Sequence, residues 1–240
     1  MTAPSLLLPP SAVERPLLVR ERFGPTFQGE GPSTGRITHF LRLWGCNLHC
    51  PPCDTPDTWD RSRFDPADVA RHHTAREIAD WLTGRPGERL VVTGGEPLMQ
   101  QRALLPLLRL LPGYRVEIET NGTIPPLPEV VERVEAFNVS PKLARFAAPG
   151  DWRISPRALR ALADCGKARF KFVVQEPGEL EEISALVGEY GLGSVWVMPE
   201  GTSSAAVLEG MRGLADAVLA RGWNLSTRLH TLIWEDARGR

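Results

Sequence analysis

The sequence predicts an α/β fold in which parallel strands, joined through helices, curve into a partial rather than a closed barrel. Three observations predict it. Strand-like and helical stretches alternate along most of the chain, which implies right-handed strand–helix–strand units and a parallel sheet. Such units number six or seven, short of the eight that close a barrel. Runs rich in Gly, Pro, Asn and Ser follow the strands at their C-terminal ends, where α/β folds build their sites. A chain of 240 residues that is 42% hydrophobic can bury a real core, so residues 17–240 read as a single domain.

Residues 1–16 are rich in Pro, Ser and Ala without an apolar period and read as a loose N-terminal extension. Strands are expected at Leu17–Phe23, Thr38–Trp44, Leu90–Thr93, Arg115–Thr120, Ala136–Ser140, Ala168–Val174 and Val195–Met198, with a short one near Leu225. Thr74 followed by Glu77 has capping-box spacing and predicts a helix to about Leu82. Ser155-Pro156 gives a cap and a first-turn proline to a helix that Gly166 ends, and Gly191 and Gly222 stand in the same position after two later helices. His72-His73 reads as a surface loop pair and Cys165 as a buried thiol.

The 28 basic and 29 acidic residues nearly cancel, so no broad positive field draws in nucleic acid. No apolar run approaches the ~20 residues that span a bilayer, and Met1–Pro10 lacks the basic start of a secretory signal. A cytoplasmic protein with a small-molecule partner is expected. Four cysteines, three of them within Cys46–Cys53, do not form a disulfide framework in a reducing compartment; clusters this tight bind metal.

Cys46, Cys50 and Cys53 can take three corners of a cubane 4Fe-4S cluster and leave one iron open. Gly45, Asn47 and Pro51-Pro52 keep the segment out of a regular helix, so the sulfurs can converge. A zinc site is the alternative. It needs a fourth ligand, from His49, His39 or Cys165, because structural zinc is usually closed by four protein ligands.

The segment Cys46-Asn47-Leu48-His49-Cys50-Pro51-Pro52-Cys53 resembles the cluster signature of the radical S-adenosylmethionine (SAM) superfamily, and Gly94-Gly95-Glu96-Pro97 resembles its glycine-rich SAM-binding motif. One family in it is similar over nearly the whole chain, 7-carboxy-7-deazaguanine synthase. The residues that carry this are Phe27-Gln28-Gly29-Glu30-Gly31, the strand Phe40–Gly45 with Arg42, Asp54-Thr55, and Leu229–Trp234. The resemblance implies a partial (β/α)6-type radical SAM barrel, a homodimer, and reduction by an electron donor such as flavodoxin or ferredoxin.

It further implies that SAM chelates the open iron and yields a deoxyadenosyl radical that takes a hydrogen atom from 6-carboxy-5,6,7,8-tetrahydropterin. Ring contraction, return of the hydrogen and loss of ammonia then give 7-carboxy-7-deazaguanine, with Mg2+ as template. Counterparts in the family assign SAM to Pro52, Cys53, Asp54, Gly95, Ser140, Pro141 and Lys142, and its adenine to Val197, Met198, Pro199 and Glu200. Phe27, Gln28, Gly29, Glu30, Arg42 and Thr93 would hold the pterin, with Arg42 forking onto its carboxylate, and Thr55 would bind Mg2+. Pro52 and Thr231 depart from the tryptophan and lysine common in the family. Glycyl-radical activating enzymes share the cysteine and glycine motifs, but Gln28–Gly31 and Thr55 argue against that reading.

Overall fold

Residues 15–148, 152–235, 237 and 239 are described in the computed structural model; residues 1–14 of the expected N-terminal extension lie outside them. Among the described residues nine strands form one sheet: β1 (Leu17–Phe27), β2 (Ile37–Leu43), β3 (Arg71–His73), β4 (Arg89–Gly94), β5 (Arg115–Thr120), β6 (Ala136–Val139), β7 (Ala168–Val174), β8 (Val195–Pro199) and β9 (Asn224–Leu225). Their order is β3-β1-β2-β4-β5-β6-β7-β8-β9, so the edge strands β3 and β9 do not meet and the barrel stays open. Strands β2 and β4 to β9 pair in parallel, as the alternating pattern predicts.

The first strand differs from expectation. It continues past Gly24-Pro25 to Phe27 and runs antiparallel to β2, with register shifts between Val19 and Glu21 and between Phe23 and Thr26. A bulged pairing lets a strand carry a proline, so the Gly-Pro pair bends β1 without ending it. His72 and His73 are also not loop residues: they pair with Leu18 and Leu17 as β3. Cys165 is half-buried rather than buried, its thiol donating to the Leu162 carbonyl at 3.0 Å.

The helices are α1 (Pro66–Val69), α2 (Ala75–Leu82), α3 (Gln101–Leu110), α4 (Pro128–Arg133), α5 (Pro156–Asp164), α6 (Leu180–Tyr190), α7 (Ser204–Ala220) and α8 (Leu229–Trp234). At α2 the capping box is complete: the Glu77 amide donates to Thr74 Oγ1, and the Thr74 amide donates to the Glu77 carboxylate at 2.7 Å. Ser155 caps α5, and Gly166, Gly191 and Gly222 take the positive φ that follows α5, α6 and α7.

Alternation along the strands separates two environments. Leu41, Leu43, Leu90 and Val92 are fully buried in a hydrophobic core under the helices, while Phe40, Arg42, Thr93, Glu119, Asn138 and Lys171 face a cavity inside the barrel. Below that cavity, Glu117 is buried and satisfied on both oxygens. It pairs with Arg89, accepts from Ser33 Oγ at 2.7 Å and accepts from Asn138 Nδ2 at 2.8 Å. A buried network with every member paired makes a rigid floor.

Candidate active site

The cavity, of about 520 Å³, opens at the C-terminal strand ends and gathers residues from nearly every loop on that face. The cysteine loop follows β2. Gly45 takes φ +105° and donates its amide to the Thr58 carbonyl at 2.7 Å, which turns the chain sharply into Cys46. Cys46, Cys50 and Cys53 all line the same cavity.

Glycine is demanded after β4 by backbone approach. The Gly95 amide donates to the Leu43 carbonyl at 3.2 Å and the Glu96 amide to the Gly45 carbonyl at 2.8 Å. A Cβ on Gly95 would collide with that Gly45 carbonyl and with Cys46 Cβ. The glycine motif thus lies directly against the start of the cysteine loop. Glu96 then staples this loop to the end of β5: its buried carboxylate accepts from Leu98 N, Thr120 Oγ1 and Asn121 N at 2.7 to 2.9 Å. Asn121 Nδ2 donates in turn to Asn47 Oδ1 at 3.1 Å, so one chain of hydrogen bonds fixes the cysteine loop to two strand ends.

These residues fit an iron–sulfur cluster. Burial, with Glu96, Cys50 and Cys53 close by, pushes the Cys46 thiol up to about 12, against the hydrogen bond from the Leu48 amide; thiolates there require a cation. Two indole N–H groups, Trp44 Nε1 and Trp59 Nε1, are buried without a partner and border a hollow of about 370 Å³ that includes Cys46 and His49. Orphaned donors beside a thiol set suit the sulfur acceptors of a cluster. Among the described residues no three His, Cys, Asp or Glu side chains gather as ligands of one ion. Of the zinc alternatives, His49 packs edge-on against Trp59, and His39 is turned away to the Pro86 carbonyl at 3.0 Å.

Another part of the cavity wall is charged. Glu30, in the loop after β1, pairs through Oε2 with Lys171 of β7 and through Oε1 with Arg228 Nε at 3.2 Å. Burial pushes the Glu30 carboxyl up, but Lys171, Arg228 and His230 outweigh it and hold it well below the usual carboxylate range. For Lys171 burial alone would lower the ammonium's affinity for its proton; Glu30 and Glu119 overturn this and raise it. Gln28 Nε2 donates to Glu119 Oε1 at 3.1 Å while its Oε1 accepts from the Gly29 amide at 2.7 Å. A Cβ on Gly29 would overlap His230 Nδ1, so glycine is required where the C-terminal segment crosses.

Family-level comparisons place this geometry. Residues 44–143 match the model of the radical SAM superfamily. The chain is 37% identical to the 7-carboxy-7-deazaguanine synthase of Pyrobaculum aerophilum over 90% of its own length and 94% of the relative's. The chain belongs to the 7-carboxy-7-deazaguanine synthase family. The family member of Halobacterium salinarum is 33% identical, with 88% of each chain covered. A solved structure of QueE from Escherichia coli superposes with a TM-score of 0.68 at 27% identity, covering 88% of this chain and 93% of that one.

Against the expectations for this family, the cavity brings together most of the site residues. Phe27 through Glu30, Arg42 and Thr93 line it, as do Pro52 through Thr55, Gly95, Ser140, Lys142, Met198 and Glu200. Pro141, Val197 and Pro199 are buried but do not line it; the Val197 carbonyl accepts from the Ser226 amide at 2.8 Å, and Pro199 packs against Gly210. Arg42 lines the cavity with its Nε held by Glu21 at 2.7 Å, which leaves the outer edge of the guanidinium for a ligand. Thr55 Oγ1 lies 3.3 Å from Asp54 Oδ1.

Lys171, Glu119, Asn138 and Arg228 belong to the cavity but escaped the sequence reading. One signal was available. Glu117 and Glu119 alternate with Val116 and Ile118 in a strand of a parallel sheet, where both faces are normally apolar; acids at period two mark a polar interior.

Proposed function

We propose that residues 17–240 form one catalytic domain that converts 6-carboxy-5,6,7,8-tetrahydropterin into 7-carboxy-7-deazaguanine with loss of ammonia, a step toward 7-deazapurines such as queuosine. The observation that carries it is the meeting, in one cavity of about 520 Å³, of the three cysteines, the glycine motif and an ionised carboxylate held by two cations. A 4Fe-4S cluster on Cys46, Cys50 and Cys53, with SAM beside Gly95, supplies when bound the one-electron chemistry that activates a substrate C–H.

The chain's own residues do the rest by orientation. Glu30 stays ionised and accepts from the donor-rich amino edge of a pterin; a carboxylate has about four acceptor positions, so its two cations leave room. Arg42 turns its free edge to the substrate carboxylate as a two-pronged donor. Gln28, fixed by Glu119, holds the turn at Gly29 against the ring, with Phe27 and Thr93 along the same wall. Ser140 Oγ accepts from Lys142 Nζ at 3.1 Å, and the two side chains offer a hydroxyl and an ammonium to the ribose and carboxylate of SAM. Phe40, Leu48 and Met198 add apolar wall that keeps water from the reacting carbon.

Mg2+ suits Thr55 because this ion takes hard oxygen ligands and needs few from protein when substrate oxygens supply the others. A flavodoxin or ferredoxin as electron donor, a homodimer and a cytoplasmic location follow from the family resemblance. Among the described residues no helix is long and apolar enough to cross a membrane.

The test is to load the cluster anaerobically, reduce it, and add SAM, Mg2+ and the carboxytetrahydropterin. Accumulation of the deazaguanine with release of ammonia is the expected result. A fully loaded protein that leaves the pterin unchanged would sink the substrate assignment.

A further inference from the structure

The C-terminal segment leading into α8 is stitched onto the Gln28–Gly31 turn almost residue by residue. Ser226 Oγ accepts from the Gly31 amide at 2.7 Å, and the Leu229 amide donates to the Gly29 carbonyl at 2.8 Å. Between these two anchors Arg228 projects into the cavity, its side chain 15% exposed. The guanidinium spends each nitrogen on a different part of the wall. Nε donates to Glu30 Oε1 at 3.2 Å, Nη1 donates to the Gly201 carbonyl at 2.8 Å, and Nη2 stands 3.5 Å from Asp54 Oδ2.

Those three acceptors belong to three separate loops: the turn after β1, the loop after β8, and the exit of the cysteine loop next to Thr55. A planar fork with fixed donor directions can hold three acceptors at set distances, which a lysine's single point charge cannot. Glu30 is also gripped from the floor by Lys171, so its carboxylate is located from below by a strand and from the rim by Arg228.

We propose that Arg228 is a positioning residue: it couples the orientation of Glu30 to the placement of Asp54 and Gly201, so that the carboxylate that meets the amino edge of the pterin and the cysteine-loop exit are set by one side chain. This rests on the assignment of Glu30 to the substrate. Arg228 is not itself required to hold iron, since its contacts lie beyond the three cysteines. Its loss acts on binding and alignment.

The test compares Arg228→Ala and Arg228→Lys with the unaltered protein, all loaded with cluster and assayed with SAM, Mg2+ and the carboxytetrahydropterin. Arg228→Ala should raise KM for the pterin about tenfold or more, the scale of losing a hydrogen bond to a charged group, while iron content stays the same and kcat falls less than KM rises. Arg228→Lys should recover part of the KM, because an ammonium can meet Glu30 without reaching all three loops. An unchanged KM in Arg228→Ala overturns the proposal, as does a loss confined to kcat. Should Arg228→Ala load less iron, Arg228→Lys at full loading decides the same question by the same KM criterion. If the unaltered protein does not turn over this pterin, the substrate assignment fails by itself. The coupling is then read by hydrogen exchange without substrate. Faster exchange of the Gly29, Glu30, Gly31 and Gly201 amides in Arg228→Ala, with β5 and β6 unchanged, supports it; identical exchange overturns it.

Discussion

Around the cysteine loop donors lack a partner: Trp44 and Trp59, beside the second hollow, bury indole N–H groups with none, and burial pushes the Cys46 thiol up to about 12. At the charged end the opposite holds, since Glu30 meets Lys171, Arg228 and His230, and Glu119 meets Gln28. The two ends lie in one cavity, yet only the charged end is electrostatically complete by itself. The cysteine end is shaped by backbone contacts among Gly45, Gly95 and Leu43 and gains its electrostatic balance from a metal group; the charged end is shaped by side-chain ion pairs. The first should therefore depend on cluster loading and the second on pH and on each paired residue.

The comparison breaks most sharply at Cys50. Cys50→Ala should drop iron from about four per chain, the content of one 4Fe-4S cluster, and abolish turnover, while the ion pairs of the charged end survive. Iron analysis with a hydrogen-exchange map separates the two, and retained activity would refute the ligand set. A smaller effect is expected at Lys171. Lys171→Met leaves a buried carboxylate with one cation fewer, and removing one partner of a buried pair costs roughly 3 kcal/mol. Chemical denaturation of the loaded protein should show that loss, and the added change Glu30→Gln should restore much of it. No recovery would mean that Lys171 stabilises through its stem packing instead.

The least effect is on pH. Burial, with help from Arg228 and against Glu30, lowers the His230 value below 6.5 in the fold. As pH falls below 6.5 toward that lowered value the unfolded chain takes up a proton that the fold resists, so the unfolded state binds more protons and stability drops with acidification. Glu30 acts in the same direction further down: its contribution is present above its ordinary value of 4.5 and is lost as pH falls through its depressed value in the fold. Denaturation midpoints measured between about pH 7 and pH 5.5 should fall less steeply in His230→Asn. Some slope should persist, because burial also lowers His39.

The sequence announced the cysteine end more fully than the charged end, and the reason is physical. Three thiols and a Gly-Gly-Glu-Pro run are local, since their chemistry is set by residues near in sequence and by strand ends that alternation locates. Strand positions, the Thr74 capping box and the open parallel barrel were legible on the same basis. The charged end depends on pairs far apart in sequence, such as Glu30 with Lys171 and Arg228. A single lysine in an apolar strand looks like a solvated edge residue until the curvature of the sheet turns it inward. The direction of β1 was hidden too, because a Gly-Pro pair reads as a stop and only pairing with β2 and β3 carries the strand through it. Three-residue β3 has no apolar alternation to announce it, and its pairing alone makes it a strand.

The stitching of the C-terminal segment to residues 29–31 also sets an order of completion during synthesis. Apart from the Arg228–Asp54 pair at its exit, the contacts that fix the cysteine loop lie within residues 43–123, so they can form while the later half of the chain is still being made. The Gly29 carbonyl and Glu30 must wait for residues 228 and 229, about 200 positions later. At a synthesis rate of roughly 5–20 residues per second, those loop contacts can form roughly 5–20 s before the substrate wall exists.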